Sequence, residues 1–506
     1  MIELNNVTIS VGVGRTLIKD LTLSINKGDR LAIIGEEGNG KSTLLKAIVD
    51  ESQIEEYATI RGKIDRNGAK IGYLPQFLCN KWFDDTINDF FLKDNATDAE
   101  PNYENYMYYD KVSEYFSRFG MNFDTMCEQK MGSLSGGEKV KVQFIKLLVH
   151  ECDVLCLDEP TNDIDLESLE FIEKFIIESN LTFILISHDV EFLRKTATAV
   201  LMLEQLKRKS EFAYTFARIG YDEFIKRRTA KISKDCQVAT AEVKNDRERQ
   251  TKLNQIRKRV ETDMINCPRG APAVGANLKQ KMKALMSMDR RFARERETFT
   301  QKPDPEEAIT IKFQTPNEQC GELLNLNESI RIAGRDVKIS LQLKSQDKIV
   351  IIGNNGVGKT TLLKVLMSKL RNKSVGYMPQ DYDSYLNSFA YVSDFIDSVA
   401  KDKQEKAKIM TILGSMKFTN DEMQLKIGLL SGGQKAKIIL AYLMSKPFDI
   451  LILDEPTRNL SPLSSPELRN ALDNYAGTVV AVSHDRAFIS LFEKRYKLTS
   501  SELLLA

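Results

Sequence analysis

The same succession of hydrophobic patterns runs through the chain twice. Arg30-Leu-Ala-Ile-Ile and Lys348-Ile-Val-Ile-Ile are apolar apart from their first residue, as strands buried on both faces of a parallel sheet are. Each leads through a glycine-rich stretch into STLLKAIV or TTLLKVLM, where apolar residues recur at the three-to-four spacing of a helix. Further on, VKVQFIKLLV and KAKIILAYLM repeat that spacing, and Val154-Leu-Cys-Leu and Ile450-Leu-Ile-Leu return to an unbroken apolar run. Strands alternating with helices predict an α/β fold, and the duplication predicts two such domains, in a chain of 506 residues that is too long for one core.

Between the copies the pattern changes. Tyr221 to Cys267 and Ala276 to Lys302 contain neither glycine nor proline, and Pro268-Arg-Gly-Ala-Pro-Ala-Val-Gly275 separates them. This predicts two long antiparallel helices with a non-helical tip near 266–276. Leu253, Ile256, Val260 and Met264 fall on one face of the first helix, and Leu278, Met282, Leu285 and Met288 with Phe292 on one face of the second. Those stripes are read as packing the two helices together rather than as a methionine-rich binding surface. The expected domains are residues 1–216 and 304–506, joined by a helical linker at 217–303.

The polar positions between these elements carry the chemistry. GEEGNGKS (Gly35 to Ser42) and GNNGVGKT (Gly353 to Thr360) stand between a strand and a helix, the context a phosphate loop requires. Their glycines (Gly35, Gly38, Gly40; Gly353, Gly356, Gly358) let backbone N–H groups close on phosphates, and the helix N-terminus adds positive potential. Lys41 and Lys359 are expected to reach the β and γ phosphates of ATP. Ser42 and Thr360, with Thr43 and Thr361 beside them, are placed at the phosphates, and the two hydroxyls of Ser42 and Thr360 toward Mg2+. Asp158 and Asp454 end the later apolar strands and are expected to hold Mg2+ through its water shell. Glu159 and Glu455 follow them as candidates to polarise the attacking water. Of three histidines, His188 and His484 occupy the same slot, Ser-His-Asp after a strand, and are assigned to the γ phosphate, while His150 has no counterpart and is read as structural. Gln76 and Gln380 close Tyr-Leu-Pro-Gln and Tyr-Met-Pro-Gln. LSGGE and LSGGQ place Ser135, Gly136, Gly137 and Ser431, Gly432, Gly433 at helix starts, where backbone N–H groups can face a phosphate.

Charge adds a partner class. The whole chain is nearly neutral, yet Tyr221 to Thr300 holds 20 Lys+Arg against 11 Asp+Glu. A basic segment between acidic repeats points to a polyanion, and forty-odd helical residues would extend it roughly 60 Å. The seven cysteines form no CxxC pair or Cys/His cluster and read as reduced thiols, Cys152 and Cys156 as packing. MIELNNVTIS lacks the features of a signal peptide, and no apolar run approaches the ~18 residues of a membrane span, so the expected location is cytoplasmic.

The six motifs, complete in both copies, resemble those of ABC ATPases. That resemblance implies that the phosphate loop of one domain and the LSGG of the other enclose each nucleotide. Site one would join Lys41 and Glu159 to Ser431–Gly433, and site two would join Lys359 and Glu455 to Ser135–Gly137. ATP would close the pair and hydrolysis release it. Two such repeats with a basic helical joint are similar to the ABC-F family, which implies a ribosomal partner at the exit site, through large-subunit rRNA and P-site tRNA, and a monomer without membrane partners. Asp454 to Ser464 and the broken linker tip resemble the antibiotic-resistance branch, in the group protecting against pleuromutilins, lincosamides and streptogramin A. The resemblance would bring the tip residues Asn266, Cys267, Pro268, Arg269 and Val274 near the peptidyl-transferase centre. Competing expectations are a housekeeping translation factor without a drug role, the tandem ATPase subunit of a sugar importer, and a coiled-coil DNA-repair ATPase. The importer would have only a short joint, and the repair ATPase a coil interrupting one domain.

Several residues depart from the family pattern. Asp163 stands where histidine is frequent and Ser461-Pro462 replaces an aspartate stretch, so the two sites are expected to hydrolyse ATP unequally. The position of an adenine-stacking aromatic falls on Val11 and Ile332, which opens the site to GTP. Tyr103, Tyr106, Tyr108 and Tyr109 are expected to pack within the first repeat rather than stack on RNA bases.

Overall fold

Each repeat builds a six-stranded sheet, and the two sheets have the same topology. The structure is a computed structural model that describes all residues except 13–14, 37, 77, 99, 162–163, 165, 207–210, 267–271, 298–310, 317–320, 333, 355, 371, 417, 419, 459, 463 and 506. In the first sheet the spatial order is Ile71–Leu74, Val154–Asp158, Thr182–Ile186, Arg30–Ile34 and Ala199–Leu206, all parallel, with Glu211–Ala217 antiparallel at the edge. The second sheet repeats this with Val375–Met378, Ile450–Asp454, Thr478–Val482, Lys348–Ile352 and Lys494–Leu498, edged by Leu503–Leu505. Val154–Asp158, Thr182–Ile186, Ile450–Asp454 and Thr478–Val482 are buried along their whole length, which is why they read as unbroken apolar runs.

Register does the positioning. Asp158 pairs with Ile186 and Asp454 with Val482, so in both repeats the acidic pair and the Ser-His-Asp turn leave neighbouring strands at the same level. The phosphate loop leaves the next strand over, placing all three motifs at the carboxyl edge of a parallel sheet, where open α/β sheets bind ligands.

Among the described residues an antiparallel sheet packs beside each parallel one: three strands in the first repeat, Arg15–Ile25, Ile2–Val11 and Ala58–Asp65, and two in the second, Glu322–Ile332 and Arg335–Lys344. Val11 packs half-buried against the first core, and Ile332 is 1% exposed in the second. Among the four tyrosines, Tyr108 meets the His150 ring and Tyr109 meets Phe123, as packing predicts. Tyr103 and Tyr106, by contrast, stack on each other at the surface.

Chain contacts divide the molecule into Met1–Tyr221 with Glu306–Ala506, and Asp222–Pro305. The second unit is made of helices Tyr221–Ile265 and Pro272–Glu297. Its seam is narrower than the stripes predict: Leu253, Val260, Leu278 and Leu285 are buried with Met282 and Phe292 beside them, while Ile256, Met264 and Met288 are exposed. Two helices bury only one line of contact, and the flanking positions stay in water. Arg296 pairs with Asp246 at 2.8 Å and Arg249 with Glu295 at 3.4 Å across the hairpin. The second helix begins at Pro272 and runs through Gly275, so these two residues do not stop it, contrary to the breaker reading. Proline is well tolerated in a first helical turn, where its missing N–H has no partner to lose. Asn266 is exposed; Cys267, Pro268 and Arg269 lie outside the described residues, as does the side chain of Val274. Among the described residues no helix is long and apolar enough to cross a membrane.

Candidate nucleotide sites

The phosphate loops are shaped by backbone that only glycine accepts. Gly35 and Gly353 have φ of 150° and 157°, and a Cβ there would meet the Leu203 carbonyl oxygen at 2.3 Å or that of Leu498 at 2.5 Å. The helices that follow, Lys41–Val49 and Lys359–Lys369, have left-handed glycines, Gly40 and Gly358, at their N-caps with no side-chain cap. Their first N–H groups therefore point into the loop, a ready anion site. Lys41 Nζ donates to the Gly35 and Glu36 carbonyls at 2.8 and 3.1 Å, and Lys359 Nζ to those of Gly353 and Asn354 at 2.7 and 3.1 Å.

Both catalytic candidates adopt a conformation rare for a side chain of their kind. Glu159 and Glu455 have φ of 53° and 50°, held by N–H bonds of 2.9 Å to the Ile186 and Val482 carbonyls. The turn carries each carboxylate from its own strand to the neighbouring one: the backbone N–H of His188 donates to Glu159 at 3.1 Å and that of His484 to Glu455 at 3.2 Å. The sequence offers no signal for this strain, because glutamate is not a left-handed residue type.

Around the two aspartates the repeats differ. Ser42 Oγ donates to Asp158 Oδ1 at 3.1 Å and the Tyr73 hydroxyl to Oδ2 at 3.4 Å. Asp454 is fully buried, with neither carboxylate oxygen in a hydrogen bond of ordinary geometry. Burial raises the pKa of both aspartates, opposed by Ser42 at Asp158 and by Thr360 and Lys359 at Asp454. A buried carboxylate beside a hydroxyl and a lysine fits a divalent cation that brings its own waters. Among the described residues no cluster of three His, Cys, Asp or Glu forms a complete protein cage. Tyr73 and its counterpart Tyr377, from the Tyr-Leu-Pro-Gln and Tyr-Met-Pro-Gln motifs, were not singled out by sequence; burial and the adjoining aspartate push both phenols up.

One cavity of about 650 Å³ gathers parts from both repeats. The first repeat supplies Gly38, Lys41, Ser42, Gln76, Glu159 and His188, and the second supplies Ser431, Gly432, Gly433, Gln380 and Arg458. Ser431 and Ser135 each cap their helix through a capping box, with Gln434 and Glu138 returning to the serine N–H at 2.8 Å. The last residue of LSGGE and of LSGGQ thus has a capping role, legible as Ser-x-x-Glu/Gln but not assigned from the sequence. The interface carries ion pairs as well: Arg486 of the second repeat reaches Glu173 of the first at 3.2 Å, and Lys195 joins at 2.8 Å.

These parts define a tandem ATP-binding cassette ATPase. A family model described as ABC transporter matches residues 18–162 and 337–458. An ATP-binding cassette sub-family F member 3 homologue of Encephalitozoon cuniculi (strain GB-M1) is 30% identical over 94% of this chain and 76% of its own length. The ATP-binding protein Uup of Buchnera aphidicola subsp. Schizaphis graminum (strain Sg) is 28% identical over 97% and 79%. A solved structure titled as a model of ribosome-bound archaeal Pelota and ABCE1 covers 99% of this chain and 78% of its own, with a TM-score of 0.58 and 14% identity, a likeness of fold. The chain belongs to the ABC-F family of ATP-binding cassette ATPases.

Proposed function

We propose that this ATPase binds the ribosomal exit site in its ATP-closed state and protects the peptidyl-transferase centre from lincosamides, pleuromutilins and streptogramin A. The observation that carries the reading is the basic pair of helices Tyr221–Ile265 and Pro272–Glu297, of which the 45-residue first exposes Lys258 and Arg259. Long and carrying a net positive charge, the pair suits an RNA surface. The fold is shared with ABCE1, whose solved structure is that of a ribosome-bound complex with archaeal Pelota, and this supports the reading.

In this reading each ATP lies between one repeat's phosphate loop and the other's LSGG. Lys41 and Lys359 hold phosphate oxygens, Glu159 and Glu455 orient the attacking water, and His188 and His484 face the γ phosphate. Ser42 with Asp158, and Thr360 with Asp454, would hold Mg2+, which supplies charge neutralisation at the phosphates.

Inhibitory concentrations in a sensitive host, with and without the gene, test the drug role. A variant with Cys267–Gly275 replaced by a short Gly-Ser turn should keep ATPase activity and most ribosome binding but lose resistance. R257Q/K258Q/R259Q should weaken co-sedimentation with ribosomes and flatten its salt dependence. Ribosome binding without any change in drug tolerance would leave a housekeeping translation factor. Co-purification with membranes instead would overturn both.

A further inference from the structure

The departure at Ser461-Pro462 has a counterpart across the interface. Glu36, in the first phosphate loop, is 5% exposed, and its side chain meets three residues of the second repeat. Ser461 Oγ donates to Glu36 Oε1 at 2.5 Å, Ser464 Oγ donates to the same oxygen at 3.0 Å, and Lys437 Nζ stands 3.8 Å from Oε2. In the second phosphate loop the equivalent position is the neutral Asn354, and the position of Ser461 in the first repeat is Asp165, which lies outside the described residues. By sequence position, the phosphate loop carries the acid in the first repeat and the amide in the second.

The same contact reaches the chemistry. The Glu36 backbone carbonyl accepts from Lys41 Nζ at 3.1 Å, which joins the residue held by the second repeat to the lysine of the phosphate loop. A carboxylate this deep is tolerated only while its donors are in place, and it would sit beside the anionic phosphates of a bound nucleotide. Its hydroxyl and ammonium donors arrive only when the second repeat is docked. Asn354, being neutral, makes no such demand.

We propose that Glu36 is a positioning residue that makes nucleotide retention at site one depend on the grip of Ser461, Ser464 and Lys437. Site two lacks this dependence. The inference rests on the pairing of Lys41 and Glu159 with Ser431–Gly433 as one site.

The test uses the full-length protein in two backgrounds, E455Q to leave site one active and E159Q to leave site two active. S461A/S464A should raise KM for ATP at site one by about ten-fold, because a buried charge loses its donors, while kcat moves less than about two-fold. Adding E36N, which copies Asn354, should cancel most of that increase, since without the charge the hydroxyls are no longer needed. Site two should show neither effect. Additive behaviour of E36N and S461A/S464A, or equal effects at both sites, overturns the proposal. If the double serine variant fails to fold, K437M read against E36N/K437M gives the same cycle. Should E455Q and E159Q fail to separate two ATP-hydrolysing sites at all, the composite-site reading itself falls.

Discussion

In the first repeat His188 Nε2 lies 3.0 Å from Glu159, whereas in the second His484 Nε2 lies 3.5 Å from Glu455 and 2.9 Å from the Lys359 ammonium. The backbones around them match: the same φ at the glutamate, the same N–H bonds to it, the same strand register. The difference lies in which partner the imidazole chooses. In site one the histidine is drawn to the acid and Lys41 stays with the loop carbonyls. In site two the histidine and the loop share one lysine, whose charge burial already disfavours, and burial likewise raises the pKa of Glu455. A duplicated backbone therefore does not make duplicated electrostatics, and unequal turnover at the two sites is the expected consequence.

The largest test of that difference removes the acids. E159Q and E455Q preserve shape but lose the anionic acceptor, so the double variant should bind ATP and hydrolyse it roughly 10²- to 10⁴-fold more slowly. Each single variant should remove a different share of the parent rate, measured as phosphate release at saturating ATP. Equal shares would break the comparison, and a double variant at parental speed would remove both glutamates from the mechanism.

Much of this was legible because strands and loops with strict requirements leave plain marks. Gly35 and Gly353 could be read because no other residue fits against a carbonyl, and Val154–Asp158 because a strand buried on both faces is apolar up to its terminal aspartate. The contacts that distinguish the sites were not. Glu36 and Ser461 are 425 positions apart, and no local pattern announces a contact of that kind. The left-handed turn at Glu159 is imposed by the neighbouring strand, whose Ile186 carbonyl takes its N–H. At the linker, composition misled: Pro272 looks like a breaker but is a good first helical residue.

A smaller effect comes from pH. Burial, reinforced by Lys41, pushes the His188 pKa down to about 3, so the folded ring stays neutral while an unfolded one takes up a proton below about 6.5. The unfolded state then binds more protons as pH falls, and folding stability declines between the unfolded and folded values. The loss should be about 2 kcal/mol by pH 5. Denaturant titrations across that range should show H188Q with a flatter profile than the parent.

The smallest effect concerns the ends of the LSGG helices. Ser135 is capped by a carboxylate, with its N–H and hydroxyl both donating to Glu138 at 2.8 and 2.7 Å, whereas the Ser431 N–H meets the neutral amide of Gln434 at 2.8 Å. A negative charge in the first turn favours a helix through its dipole, so E138Q should destabilise Gly136–Val149 by about 0.3 to 1 kcal/mol while keeping the capping geometry. The reverse exchange, Q434E, should add a similar amount on capping grounds alone. It would also place a carboxylate within 2.7 Å of the former amide's partner, Glu422, which is 4% exposed, so a net loss of stability is expected instead. Urea midpoints for the two variants therefore should both fall, for different reasons. A rise with Q434E would mean that the Gln434–Glu422 bond does not hold, and that the neutral end of the second repeat is not tied to its neighbourhood as the charged end of the first is to its serine.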